Sequence, residues 1–319
     1  MREAAFIKQS KSRWEEFEKV IRNPQKAEPD RLAELFIQLT DDLSFARTQY
    51  PESRTTRYLN DLASKVHLEI YKNKKEDKNR FITFWKEELP SVMYEVRKPL
   101  LYALIIFLVA GVMGAVSARY DDTFVRLILG DDYVNMTLEN IKSGNPTNVY
   151  ADADSFNMFL QITWNNIFVS FRIFAFGVLA SLGTAFMLFY NAMMVGTFIM
   201  LFFNEGELSQ ALPVIMLHGT IELSSIVIAA AAGFTMGNSL LFPGTYSRLE
   251  SFKTGAVKGL KIVIGLVPFF IIAGFIESFV TRYAFMPGSM KVLIIGLSAL
   301  LMIYYFLIYP IRLKRHGKF

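Results

Sequence analysis

The stretch that decides the fold is ALPVIMLHGTIELSSIVIAAAAG, at residues 211–233. Glu222 is the only Asp, Glu, Lys or Arg between Glu207 and Arg248. A helix rises about 1.5 Å per residue, so this stretch is long enough to cross about 30 Å of hydrocarbon. It therefore predicts a transmembrane helix whose interior carries a carboxyl group and a histidine, His218.

The same pattern recurs on both sides of this stretch. Apolar runs long enough to span a bilayer occur at 100–118, 158–180, 183–203, 263–280 and 292–311. The second and third runs share one long stretch in which Arg172 is the only charged residue, so a tight turn near 181–183 must separate them. The sequence therefore predicts an all-α, polytopic transmembrane bundle of about six spans.

Composition agrees with a membrane protein. Of the 319 residues, 52% are hydrophobic and only 20% are charged, whereas soluble domains carry about 25% charged residues. The mean hydropathy is +0.30. The absence of cysteine excludes disulfide frameworks, iron–sulfur clusters and thiol nucleophiles. The first twenty residues have no apolar core, so no cleaved signal peptide is expected.

Loop charge predicts the orientation of the spans. Lys and Arg are concentrated at 97–98, at 248–261 and in the basic tail at 312–319, whereas the loop at 119–157 is acidic and is expected to be irregular. Because Lys and Arg mark the cytoplasmic side, both termini are predicted to be cytoplasmic and 119–157 to be extracytoplasmic.

Residues 1–98 are polar and have the apolar spacing of helices. Trp14, Phe17 and Ile21 recur at that spacing, and Leu59, Leu62, Val66 and Ile70 do so later in the segment. The sequence predicts a small cytoplasmic helical bundle at 1–98, followed by a transmembrane domain at 99–311.

The polar residues inside the spans are the candidate site. An ionised side chain at mid-bilayer costs at least about 2.5–3.5 kcal/mol, so two unpaired ones would be expensive. We expect the second span to pack on the fourth, with Asn165 or Asn166 bonding His218 and with Arg172 reaching Glu222. Such a polar seam could be an ion, proton or substrate pathway, or it could be a structural clamp that fixes helix register.

Two further polar residues and a set of small residues are secondary candidates. Glu277 lies near the outer end of the fifth span, where it is either an interfacial carboxylate or a site residue, and Asn191 is expected to make a hydrogen bond between helices. The small residues at 177, 181, 183–184 and 229–233 favour close helix packing within the chain, with a homodimer seam as the alternative.

Catalytic motifs are scarce. His218-Gly219-x-x-Glu222 is not the His-Glu-x-x-His motif of zinc proteases, and only His67 and His316 accompany His218 in the chain. No catalytic residue, metal or cofactor is therefore expected, and an intramembrane hydrolase that uses Ser224 or Ser225 with His218 is a third and weaker hypothesis.

His218-Gly219-x-x-Glu222, followed by the small residues 229–233, resembles the signature of the stage II sporulation protein M family of bacterial membrane proteins. Other segments that resemble this family are Asp42-Leu43-x-x-Ala46, Tyr50-Pro51, Tyr58-Leu59-Asn60, His67, Ile70-Tyr71, Asn165-Asn166-Ile167, Phe176-Gly177, Gly183-Thr184, Asn191 and Ile276-Glu277. Ala192 and Ser278 stand where the family usually has glycine.

The resemblance implies a multispanning protein of the bacterial plasma membrane with a helical cytoplasmic N-terminus. In spore formers the namesake is a membrane anchor that works with peptidoglycan-degrading partners. The leading hypothesis is thus a non-enzymatic scaffold whose partners are membrane lipids and envelope proteins, with no role for nucleic acid. The alternative is a transporter or channel that uses the polar seam.

Overall fold

The computed structural model describes residues 2–22, 29–72, 80–144, 155–281 and 286–317. Across these residues the secondary structure is helical and contains no strand. The chain divides into two compact units, Met1–Phe81 and Ile82–Phe319. The prediction of an all-α polytopic bundle is confirmed.

The first unit is a bundle of three helices, α1 (Glu3–Arg22), α2 (Pro29–Gln49) and α3 (Arg54–Lys72). Its core consists of buried apolar side chains from all three helices, among them Trp14, Phe17, Leu39 and Leu59. The indole Nε1 of Trp14 donates a hydrogen bond to Asp42 Oδ2 at 2.9 Å, which satisfies the one polar atom of that buried ring. The side chains of Val66, His67 and Ile70 lie outside the described residues.

The boundary between the units falls within α4 (Arg80–Thr83), and the second unit continues with a π-helical turn at Phe84–Glu88 and α5 (Leu89–Glu95). Leu89, Val92 and Met93 are buried together with apolar residues that come later in the chain. This is why the boundary between the units falls after Phe81, earlier than the boundary at 98 expected from polarity alone.

The helices of the second unit follow in order. They are α6 (Arg97–Tyr120), α7 (Asp122–Leu129), α8 (Asp131–Lys142), α9 (Ser155–Ala175), α10 (Leu182–Asn204), α11 (Leu208–Leu241), α12 (Arg248–Phe275), α13 (Gly288–Ile303) and α14 (Tyr309–Arg315). Two further π-helical turns, Ile276–Val280 and Tyr304–Ile308, extend α12 and join α13 to α14.

Five helical stretches within the described residues are long and apolar enough to cross a membrane, namely Arg97–Tyr120, Leu182–Asn204, Leu208–Leu241, Arg248–Val280 and Gly288–Arg315. They correspond to the first, third, fourth, fifth and sixth expected spans. The second expected span, 158–180, overlaps α9, which is not among the five because asparagine, glutamine and arginine side chains lower its hydropathy. A count of six spans therefore stays a prediction.

The central helix of the second unit is α11, and its neighbours approach it through small residues. A Cβ at Gly177, which follows α9, would collide with the backbone of Gly233 in α11. The hydroxyl of Thr184 in α10 donates to the carbonyl of Ile173 in α9 at 2.8 Å. The small residues noted in the sequence thus serve close packing within the chain.

The segment after α6 differs from the irregular loop expected at 119–157. Its described part, 119–144, forms the two helices α7 and α8. Val125 of α7 and Val134 of α8 pack with Ala118 and Leu201 of the bundle. The polarity of this segment does not prevent helix formation, because its acidic side chains lie on the exposed faces of two short amphipathic helices. Residues 145–154 lie outside the described residues.

Candidate functional site

The candidate site is a cluster of polar side chains contributed by α9, α11 and the π-helical turn after α12. His218 and Glu222 lie one helical turn apart on α11 and therefore share a face. Asn166 comes from α9, and Glu277 comes from the turn Ile276–Val280. Three separate elements thus bring polar side chains together among helices that are otherwise mainly apolar.

The two glutamates of the cluster face each other. Glu222 accepts a hydrogen bond from Asn166, with Nδ2 and Oε1 2.5 Å apart. The Glu222 and Glu277 side chains also approach each other, with one carboxylate oxygen of each within 4.8 Å of the other. Two carboxylates this close together in an apolar interior repel each other, so the pair requires either a proton on one of them or a nearby cation.

His218 lies against the second glutamate. Its Nε2 is 3.7 Å from Glu277 Oε1, and the two side chains are only 6% and 13% exposed. On the other side of the ring, Nδ1 is 3.4 Å from the Thr281 hydroxyl, which itself donates to the carbonyl of Ile276 at 3.1 Å. Because the Thr281 proton is used in that bond, the Thr281 oxygen can accept from an Nδ1–H. In the tautomer with its proton on Nδ1, the Nε2 lone pair lies on the side of Glu277.

The expected pairing of Arg172 with Glu222 is wrong. Arg172 is exposed, and its guanidinium carbon lies 5.8 Å from the centre of the Phe168 ring on the same helix. Arg172 follows Asn165 by seven residues, about two helical turns, so these two share a face. That face is exposed, whereas Asn166 is turned about 100° away from Asn165 and points to α11.

The expected hydrogen bond from Asn165 or Asn166 to His218 is also wrong. Asn166 uses its amide to hold Glu222, and Asn165 is exposed. Asn191 does not make the expected hydrogen bond between helices, because its Nδ2 donates to the carbonyl of Met187 one turn earlier in α10, at 2.8 Å.

Glu277 belongs to the cluster and is not an exposed interfacial carboxylate. Thr281, which also belongs to the cluster, was not predicted from the sequence. The signal for Glu277 was its place in an otherwise uncharged run at the end of a span. Thr281 had no such signal, since a single threonine at the end of a helix is common.

Buried hydroxyls without a hydrogen-bond partner occur on the same elements. Within the described residues these are Thr163 on α9, Ser225 on α11 and Ser278 on the turn after α12. Thr163 is one turn from Asn166, Ser225 is one turn from Glu222, and Ser278 follows Glu277. Since buried polar groups normally have partners, the surroundings of this cluster contain unused hydrogen-bonding capacity.

The cluster also offers three ligand atoms to a cation. One ring nitrogen of His218 and one carboxylate oxygen each of Glu222 and Glu277 lie within 4.8 Å of one another. The prediction of no metal site rested on the lack of a second histidine near His218 in the sequence. The fold supplies a second carboxylate instead, from a residue 55 positions further along the chain than Glu222.

The proposed serine–histidine pair does not form with Ser224. Its hydroxyl donates to the carbonyl of Thr220 at 2.7 Å, as serines in membrane helices commonly do. Ser225 lies two helical turns from His218 along α11, about 10 Å by helix geometry. The weaker hypothesis of a serine hydrolase therefore loses its geometric basis.

Tyr133 of α8 lies near the cluster and packs on α10. Burial raises the pKa of Tyr133, and the negative charge of Glu277 adds to this effect. The ring of Tyr133 also contacts Phe198 of α10, with ring centres 5.9 Å apart.

Comparison with known proteins supports the assignment made from the motifs. The profile of stage II sporulation protein M matches residues 103–282, which include every residue of the cluster. A second profile, a domain of unknown function (DUF8413), matches residues 4–72 in the first unit. No curated protein and no solved structure matches the chain. Because the first profile covers more than half of the sequence, the chain belongs to the stage II sporulation protein M family.

Proposed function

We propose that this integral membrane protein is a non-enzymatic scaffold of the bacterial plasma membrane that holds peptidoglycan-remodelling proteins at the envelope. The observation that carries the proposal is the helical platform formed by α7 and α8. Asp122, Asp132 and Glu139 are exposed on it, while Val125 and Val134 fasten it to the bundle. An ordered charged surface fixed to a membrane bundle is suited to docking a protein partner.

The packing of the spanning helices supports the same function. A Cβ at Gly114 would collide with the backbone of Met193, and one at Gly196 would collide with the backbone of Gly111. α6 and α10 therefore touch along their backbones at two successive levels. Helices interlocked in this way form a rigid support, whereas a transporter must move one group of helices against another.

The test is capture of a peptidoglycan-degrading enzyme from the membrane of the native bacterium. We expect the full chain to copurify with such an enzyme. A triple variant that removes three negative charges from the platform should no longer copurify with the enzyme; its changes are Asp122→Asn, Asp132→Asn and Glu139→Gln. The matched control changes three exposed carboxyls of the first unit, Glu15→Gln, Glu52→Gln and Asp61→Asn, and should retain the partner. Equal capture by the two variants would contradict docking on the platform.

A second candidate function is ion- or proton-coupled transport, favoured by the pair Glu222 and Glu277 inside the bundle. Intramembrane carboxyls commonly lie on ion or proton pathways. Purified protein in liposomes under a proton or cation gradient separates the two functions. Flux that is abolished by Glu222→Gln would replace the scaffold with a transporter, and flux equal to that of empty liposomes would support the scaffold.

A further inference from the structure

We propose that His218, Glu222 and Glu277 form a binding site for a divalent transition-metal cation of the Zn²⁺ type. The three ligand atoms come from two helical elements and lie within 4.8 Å of one another. His218 is 5% exposed as a residue, and the Glu277 side chain is 13% exposed. This inference goes beyond the scaffold function and does not depend on it.

Charge balance favours a dication at this place. Two carboxylates buried in a medium of low dielectric constant repel each other, and each is costly to leave unpaired. Among the described residues, Asn166 donates to Glu222, His218 lies beside Glu277, and Arg172 is exposed beside Phe168. One dication, two carboxylates and a neutral imidazole sum to zero charge, which is the state that an apolar interior tolerates best.

The groups behind the three ligands are those expected at a metal site. A metal-binding histidine donates its second N–H to a fixed acceptor, and a metal-binding carboxylate is itself hydrogen-bonded. Thr281 is placed to accept from His218 Nδ1, which leaves Nε2 as the ligand atom. Asn166 holds one oxygen of Glu222, and the other oxygen is available to a cation.

The ligand types select the class of metal. Imidazole nitrogen suits zinc and its first-row neighbours, whereas magnesium and calcium prefer sites made of oxygen alone. Zinc binds His nitrogen at about 2.0–2.1 Å and carboxylate oxygen at about 2.0–2.2 Å, so small side-chain rotations must bring the three atoms closer. Three protein ligands leave the fourth zinc position for water or another oxygen.

The test measures Zn²⁺ bound to the full chain in nanodiscs, prepared without a histidine tag and stripped with a chelator. After titration with ZnCl₂ and removal of free ion, elemental analysis should count about one ion per chain above empty nanodiscs. Glu277→Gln and His218→Gln should weaken binding more than about 100-fold, because they remove direct ligands. Asn166→Val should weaken it about 10- to 100-fold, as loss of a supporting group does.

Two controls make the outcome specific. His316 is an exposed histidine whose Nδ1 lies 2.7 Å from the carbonyl of Arg312, so His316→Gln should leave Zn²⁺ binding unchanged. Co²⁺ added to the stripped wild-type protein should give X-ray absorption typical of one imidazole nitrogen with oxygen ligands. This second measurement needs no variant and holds even if Glu277→Gln fails to fold.

Several results would overturn the proposal. One is a Zn²⁺ count in the wild type no higher than in empty nanodiscs, which would mean that a shared proton alone neutralises the pair. Another is Zn²⁺ binding that is unchanged in each of the folded variants Glu277→Gln and His218→Gln. A third is a Co²⁺ absorption spectrum that shows no nitrogen ligand. The measurements count ions and ligands, so they do not depend on whether a peptidoglycan enzyme docks.

Discussion

Asn165 and Asn166 are neighbours in sequence but have different surroundings. Consecutive residues of an α-helix are turned about 100° apart, and on α9 this places Asn166 against Glu222 and leaves Asn165 exposed. Arg172 shares the exposed face with Asn165. The position of each polar side chain around the helix therefore decides whether it belongs to the buried cluster.

At the residue scale we predict opposite results for two changes on α9. Asn166→Val should lower the free energy of unfolding by about 1–3 kcal/mol, because it leaves a buried Glu222 oxygen without its donor. Arg172→Gln should change it by no more than about 0.5 kcal/mol, because Arg172 is exposed and lies beside Phe168 on its own helix. Thermal unfolding of both variants in one detergent measures the difference, and a large loss for Arg172→Gln alone would restore the discarded ion pair.

Glycine has different roles in different helices of this protein. Gly196 of α10 lies so close to the backbone of Gly111 in α6 that a Cβ there would collide with it, whereas a Cβ at Gly296 of α13 meets nothing within 4 Å. The first glycine permits the approach of two backbones, and the second only lowers helix propensity.

At the element scale, Gly196→Ala should therefore destabilise the bundle by about 1–3 kcal/mol or more, since α6 and α10 must separate. The matched change Gly296→Ala should be neutral or should stabilise by up to about 1 kcal/mol through helix propensity. Gel filtration and thermal unfolding of the two variants test this. Equal destabilisation of both variants would mean that the contact between α6 and α10 does not form.

The segment around α5 is fastened to α12 by two ion pairs. Glu88 Oε2 lies 2.6 Å from Lys261 Nζ, and Glu95 Oε2 lies 2.5 Å from Lys258 Nζ. All four side chains are more than a third exposed, so water and salt weaken these pairs.

Replacement of both acids, Glu88→Gln with Glu95→Gln, should cost only about 0.2–1 kcal/mol for each pair at low salt. The difference from the wild type should shrink as salt is raised to about 1 M, where the screening length is about 3 Å. Unfolding temperatures measured along a salt series give the result. A loss of stability that is independent of salt would show that packing, and not charge, holds α5.

At the scale of the whole molecule, the first unit has a core of its own. Phe17 is 1% exposed, and Leu35, Leu39 and Leu59 are equally buried within the three-helix bundle. Such a core allows a domain to fold by itself. The helices of the second unit instead leave long apolar faces exposed, such as those of α6 and α13, which require a membrane.

We predict that a fragment of residues 1–81 is soluble and unfolds cooperatively as a helical domain. Phe17→Ala should remove about 3–5 kcal/mol from its stability and unfold most of it, because the ring fills the centre of a small core. Circular dichroism during heating measures both effects. A fragment without a cooperative transition would mean that the first unit needs the rest of the chain.

The orientation of the chain in the membrane can be tested by labelling single introduced cysteines. The chain has no cysteine of its own that would also react. We expect Ser143→Cys, at the end of α8, to react with an impermeant maleimide added to intact cells. Lys314→Cys, in the basic tail, should react only after the membrane is permeabilised, because basic segments stay in the cytoplasm. The reverse labelling pattern would invert the topology and place the α7–α8 platform inside the cell.

The sequence by itself determined the class of fold, the approximate places of the spanning helices and the family. These depend on the length and polarity of each stretch. The hydrocarbon core of the bilayer requires every spanning stretch to be long, apolar and helical, whatever the other stretches are. His218 and Glu222 could also be found, because an ionisable group in an uncharged run is conspicuous.

Only the tertiary structure decided which polar groups meet. Asn166, Glu277 and Thr281 reach the two α11 residues through the rotation of α9 and the π-helical turn after α12, and neither feature has a distinct local pattern. The same is true of Gly177 and Gly196, which touch backbones far away in sequence. The depth of a residue in the membrane follows from the sequence of its own helix. The direction in which its side chain faces, and the residues of other helices that it meets, depend on how several helices pack together.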